Sequence, residues 1–546
     1  MQSFTVSGQL IDINAKRTYP AEIKIENGII ISIQELEIAP QQYILPGFID
    51  AHIHIESSML VPTSFARVAV IHGTVATVSD PHEIANVNGM QGVEYMLENS
   101  KKTPFKFFFG APSCVPATFF ETAGAVLDSK DVETLLQNPD IWYLSEMMNY
   151  PGVLFNDEEV MLKIEAAKKA GKPIDGHAPG LTGSDVIKYA NAGITTDHEC
   201  FTLSEALEKI EAGMHILIRE GSAAKNYDAL AALIQTHPDK VMFCSDDKHP
   251  DELVFGHINE LVKRSLHAGY NLYNVLQIAC INPVLHYKLP VGLLQVGDPA
   301  DFIIADSLDE FNILQTYISG NLVAQYGATL LPFIAVDPIN NFNTNKKVKE
   351  EFEIKAATIN PIINIIEAIE GQLITNKLQL PAKVENGLIV SDTERDILKI
   401  TVVNRYAENI APAIGFIKNF GLKQGAIAST VGHDCHNIIS IGVDDESICA
   451  AVNALIECKG GISVAANKDI VNCMPLEVAG LMSIGDANSV ADAYTQIDKK
   501  AKELGTTLKA PFMTLSFMAL LVIPALKLSD KGLFNGNKFE FCGLVE

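Results

Sequence analysis

The residues able to do chemistry cluster at the ends of short apolar runs. The stretch IDAHIHIESS sets His52 and His54 two residues apart behind the apolar run YILPGF. Residues i and i+2 of a strand share a face, so both imidazoles point one way while Ile53 packs the other. Further along, Asp80, Glu146, His177, His198 and Asp246 each close a β-rich run. Converging imidazoles and carboxylates make a nitrogen/oxygen site for Zn, Mn, Fe or Co, and the lack of clustered cysteines argues against a thiolate site. Four histidines (His52, His54, His177, His198) with Glu146 and Asp246 exceed what one ion with an open position needs. Two divalent ions are therefore expected, with Glu146 placed to bridge them. A hydroxide shared by such a pair has its pKa lowered to ~7 or below, and Asp246 stands opposite to hold it and pass its proton to a leaving group.

Positioning these groups requires a repeating scaffold. Eight runs read as strands: YILPGFIDAH, TVATVSD, FKFFFGA, IWYLSE, KPIDGH, GITTDH, MHILIRE and KVMFCSD. They alternate with amphipathic segments whose stops are legible, such as Gly171 with Pro173, and Ser184 through Gly193. The pattern predicts α/β architecture, a (β/α)8 TIM-like barrel over 47–284, whose chemistry gathers at the carboxyl ends of its strands. A doubly wound sheet gives a similar pattern, but no G-x-G-x-x-G or Walker A supports it. Two alternating blocks flank the barrel, and residues 1–46 with 285–335 are expected to pair into one small β-sandwich domain. The polar stretch NNFNTNKKVKE reads as a linker into an appended α+β C-terminal domain over 345–546.

Composition excludes several function classes. Lys+Arg number 41 against 66 Asp+Glu, a formal charge of -25, with no basic run to track nucleic acid. The nine cysteines are scattered without C-x-x-C, which suits a reducing cytoplasm. The N-terminus carries no basic region followed by an apolar core, and the apolar stretch from Pro511 is too interrupted to span a membrane, so it reads as buried core.

The motifs PGFIDAHIHIE, GHAP, TTDHE and CSDD, in this order, resemble the metal-dependent amidohydrolase superfamily. Glu146 where most binuclear members carry a carboxylated lysine, with DPHEIANVNG, SDDKHPDELVFGHI and VGHDCHNI, resembles the bacterial adenine deaminase family. That resemblance implies an aminohydrolase converting adenine and water to hypoxanthine and ammonia in purine salvage or catabolism, on two ions of Mn(II) type, with Fe(II) or Zn(II) as alternatives. It also implies a homodimer. Some acid must protonate ring N1, and the candidates are Glu83, Glu56 and His82. Asp80, His82, Asp247, His433 and His436 are candidate substrate contacts; Asp80, His82 and Glu83 could equally cap a helix. His249 and His257 read as surface or helix residues. Rival readings are another hydrolase of the superfamily, acting on a cyclic amide or N-acetyl group, and an inactive scaffold-like relative.

Overall fold

The computed structural model describes residues 3–222, 224–467 and 469–545. All eight expected barrel runs form strands: β1 (Phe48–Ile53), β2 (Thr74–Ser79), β3 (Lys106–Ala111), β4 (Ile141–Met147), β5 (Ile174–Gly176), β6 (Thr196–Asp197), β7 (His215–Arg219) and β8 (Val241–Cys244). Strands β1 to β5 make one parallel sheet and β6 to β8 another. Two seams join them. The Thr195 amide donates to the Ile174 carbonyl at 2.9 Å, and the Asp246 amide to the His52 carbonyl at 2.9 Å. The result is a TIM-barrel-like body with a C-terminal domain.

The first run differs from its expected extent. It splits at Gly47: Tyr43–Pro46 leaves the barrel and pairs with Ser3–Asp12 and Phe302–Ala305, while β1 begins at Phe48. A Cβ at Gly47 would lie 2.3 Å from the Val75 side chain, so only glycine lets the chain pass from one sheet to the other there. The flanking residues form one eight-stranded mixed sheet that draws on both sides of the barrel, running from Ala328–Thr329 through Tyr43–Pro46 to Ile29–Glu35. Its core joins Ile23, Ile25 and Ile44 to Phe302 and Ile304.

Helices follow their sequence signals. Glu158–Ala170 starts on the Asp157 side chain, which accepts from the Val160 amide, and stops at Gly171 in the left-handed region. The C-terminal domain is built on a second eight-stranded sheet, from Thr375–Pro381 to Asp469–Pro475, backed by helices Asp445–Cys458 and Ala487–Glu503. The apolar stretch from Pro511 is buried, as expected. This domain sits on the barrel mouth: the Ser483 amide donates to the Met59 carbonyl at 2.8 Å, and Asn437 Nδ2 to the Thr122 carbonyl at 2.8 Å. Among the described residues no helix is long and apolar enough to cross a membrane.

Candidate active site

Strand ends deliver the ionisable groups to one buried point. His52 lies on β1 and His54 immediately after it; Glu146 lies near the end of β4, and His177 and His198 directly follow β5 and β6. Asp246, two residues past β8, adopts φ 54°, a left-handed backbone uncommon for a non-glycine, while its amide stays bonded to β1. The Nε2 atoms of His52 and His54 lie 3.2 Å apart. Asp246 Oδ1 is 3.5 Å from the first and 3.2 Å from the second. Glu146 divides its carboxylate: Oε1 is 3.2 Å from His54 Nε2, whereas Oε2 is 2.6 Å from His177 Nδ1 and 3.2 Å from His198 Nε2.

Apart from the 2.6 Å hydrogen bond between His177 and Glu146, these spacings of 3.2–3.5 Å are close to those of ligands around an ion. Ligand atoms about 2.0–2.2 Å from a tetrahedral cation lie about 3.3–3.6 Å from one another. Direct hydrogen bonding accounts for the cluster poorly, since His52 Nδ1 and His177 Nε2 are buried without a partner. Overlapping groups of three or four donors (His54, Asp80, His82, Glu146; His52, His54, Asp246; His177, His198, Glu199) each fit a single ion. The donor set is nitrogen and carboxylate oxygen, compatible with a divalent metal centre.

Electrostatics reinforce the arrangement. Burial opposes the ionisation of Glu146, yet the His177 and His198 imidazoles hold its carboxyl well below the usual range. Burial likewise opposes Asp246, and the Arg219 guanidinium, 2.6 Å from its Oδ2, holds it well below that range too. Against burial, Glu199 and Glu146 raise His177 to about 9.

A second layer surrounds this point. Glu83 is clamped by His433 Nδ1 at 2.6 Å and by His436 Nε2; against burial, those two rings keep its carboxyl well below the carboxylate range. His82 lies 3.0 Å from Asp80, 3.4 Å from Glu83 and 3.6 Å from Glu146. Asp247 accepts from Ser57 Oγ at 2.5 Å. The cavity above the cluster, about 20 Å³, is lined by His82, Glu83, Asp247 and His433 but not by Glu56, Asp80 or His436. Glu56 sits behind, its Oε1 accepting from the Ile84 amide, and burial pushes its carboxyl up to about 7.

Three members escape a sequence reading. Glu199 approaches His198 at 3.5 Å and is held by Arg219 Nη2 at 3.0 Å; Asp434 lines the cavity 3.9 Å from His82. Strand alternation hides Glu199, because β6 ends at Asp197 and the chain no longer alternates there. Arg219 ends β7 and carries the same strand-end signal as its neighbours. One expectation is corrected in part. His249 and His257 each cap a helix, but neither is a surface residue: both are buried, and His257 binds Asp50 Oδ2 at 2.7 Å and Thr74 Oγ1 at 2.8 Å.

The amidohydrolase family matches residues 43–323, and the adenine deaminase C-terminal domain matches residues 372–540. The adenine deaminase of Methanosarcina mazei is 54% identical over 98% of this chain and 98% of its own. That of Salinibacter ruber is 52% identical over 99% of this chain and 98% of its own. This chain belongs to the adenine deaminase family. A further member of the adenine deaminase family, from Borreliella burgdorferi, is 51% identical over 99% of this chain and 100% of its own. Membership of the adenine deaminase family thus extends over barrel and C-terminal domain alike, the two parts that meet at Glu83.

Proposed function

We propose that the chain is a hydrolytic adenine deaminase, converting adenine and water to hypoxanthine and ammonia. The observation that carries this reading is the identity of 51% to 54% with adenine deaminases along essentially the whole chain. In this reading His52, His54 and Asp246 would hold one divalent ion, His177 and His198 would hold a second, and Glu146 would serve both; Mn(II) is expected, with Fe(II) or Zn(II) as alternatives. Such a pair of ions supplies a water activated at neutral pH.

The side chains do the rest. Asp246 takes the proton of the attacking water on Oδ1 and returns it to the leaving amino group, while Arg219 on Oδ2 keeps the carboxylate ionised and aimed. Glu83 delivers a proton to ring N1, drawn from His433 Nδ1 at 2.6 Å and restored by the second proton of the water as the C6 oxygen becomes a carbonyl, and His436 fixes its other oxygen. Asp80 orients His82 toward the substrate beside Asp247. Glu56, outside the cavity lining, takes no proton-transfer part.

The proposal includes a closed (β/α)8 barrel over 47–284, one small β domain from 1–46 and 285–335, a C-terminal domain over 345–546, a homodimer and a cytoplasmic location. Among the described residues lining the cavity there is no lysine or arginine, which disfavours a sugar-phosphate deacetylase. An inactive scaffold is disfavoured because every expected ligand is present. The experiment is direct: Mn-loaded protein should bleach the ultraviolet absorbance of adenine while ammonia appears in step, with about two ions per chain. No turnover by the loaded protein would overturn the reading.

A further inference from the structure

The cavity has two unlike walls. The barrel contributes ionisable groups, whereas the only apolar side chains among the described lining residues are Met148, Leu373, Phe517 and Leu520. Three of these four belong to the C-terminal domain. Adenine is a flat, uncharged ring system, and leaving water is favourable for it only where apolar surface replaces the water. A site made of carboxylates and imidazoles alone offers the ring little such surface.

A buried cation holds this wall in place. Lys527, 0% exposed on the strand Leu526–Ser529, donates from Nζ to the Leu373 carbonyl at 2.6 Å and to the Phe517 carbonyl at 2.8 Å. Burial lowers its ammonium to about 7. Thr375 Oγ1 ties the Leu373 segment to the same strand through the Leu526 carbonyl at 2.8 Å. The Phe517 ring stacks on His433 with centroids 4.7 Å apart and an interplanar angle of 13°, and the His433 amide donates to the Ser516 carbonyl at 3.1 Å. The wall and the Glu83 clamp are thus parts of one packed unit.

We propose that the purine ring binds against this C-terminal wall, Phe517 and Leu520 making the apolar contact, and that Lys527 is the positioning residue that fixes Leu373 and Phe517. The inference rests on the adenine reading above. It gives the C-terminal domain a task for which the barrel supplies Met148 alone among the described lining residues: the barrel transforms the substrate and the added domain recognises its ring.

Steady-state kinetics on the Mn-loaded full-length protein test it. Phe517→Ala should raise KM for adenine about tenfold, the scale of losing base–aromatic contact, with a smaller change in kcat and no change in metal content. Leu520→Ala should move KM in the same direction by less. Lys527→Met, which removes both donors, should also raise KM, and Lys527→Gln, which keeps two N–H groups, should recover part of it. An active wild type with unchanged KM in both Phe517→Ala and Leu520→Ala overturns the wall alone, whereas no adenine turnover in the wild type overturns wall and functional reading together. Raised KM in the wall variants with normal kinetics in Lys527→Met overturns the positioning role. The wall variants decide the question even if Lys527→Met fails to fold.

Discussion

On strand β1, Asp50 lies two residues before His52 and four before His54, and each anchors a buried histidine–carboxylate group. Around Asp50 every polar atom has a partner. Its Oδ1 accepts from the Ser245 amide at 3.0 Å and the His52 amide at 3.3 Å; its Oδ2 accepts from Ser245 Oγ and from His257 Nε2 at 2.7 Å, and the other His257 nitrogen meets Thr74 Oγ1. One step along the strand, imidazole nitrogens face one another at 3.2 Å and buried ring atoms lack partners. The same residue types thus serve opposite ends. Saturated hydrogen bonding around Asp50 clamps β8 onto β1, and unsaturated convergence around Glu146 leaves lone pairs for an ion.

Breaking the unsaturated group should cost chemistry. Asp246→Asn is expected to lower kcat for adenine by about 10²–10⁴-fold, the usual contribution of a positioned acid–base group, while leaving bound metal in place. Glu146→Gln should instead reduce metal content, read by elemental analysis, because it removes the carboxylate both halves of the cluster share. Equal metal loss in the two variants would erase the distinction between their roles.

Breaking the saturated group should cost stability. Asp50→Asn forces an amide against His257 and the Ser245 hydroxyl, and the loss should be about 1–3 kcal/mol of barrel stability, with metal content held. Denaturant unfolding with metal analysis on the same sample checks it. Metal loss without destabilisation would show that Asp50 belongs to the ligand group after all.

The smallest effect sharpens the comparison through pH. Burial, with the neighbouring His257 adding to it, lowers His72 from 6.5 to about 4. Between those values the unfolded chain binds a proton that the folded chain does not. Stability therefore falls as pH drops from 6.5 toward 4, and the melting temperature of His72→Gln should fall less steeply over that window. An unchanged slope would assign the acid sensitivity elsewhere.

Much of the site was legible because strand geometry is local. The i, i+2 rule placed His52 and His54 on one face, and the strand-end position of Glu146, His177, His198 and Asp246 was visible in the alternation of runs and helices. The helix position of His257 is legible locally, but its burial is not, because it depends on Asp50, 207 residues away in sequence. Glu199 gives no such signal because alternation stops where β6 stops.

By itself the sequence determined which residues cap the barrel strands, which donors are nitrogen and oxygen, and that a C-terminal region is appended. Only the tertiary structure decided which groups are satisfied and which converge, that His433 and His436 close on Glu83, and that Leu373, Phe517 and Leu520 roof the cavity. The reason is physical: periodicity fixes direction within an element, whereas hydrogen-bond saturation and the meeting of distant walls depend on packing between elements far apart in the chain.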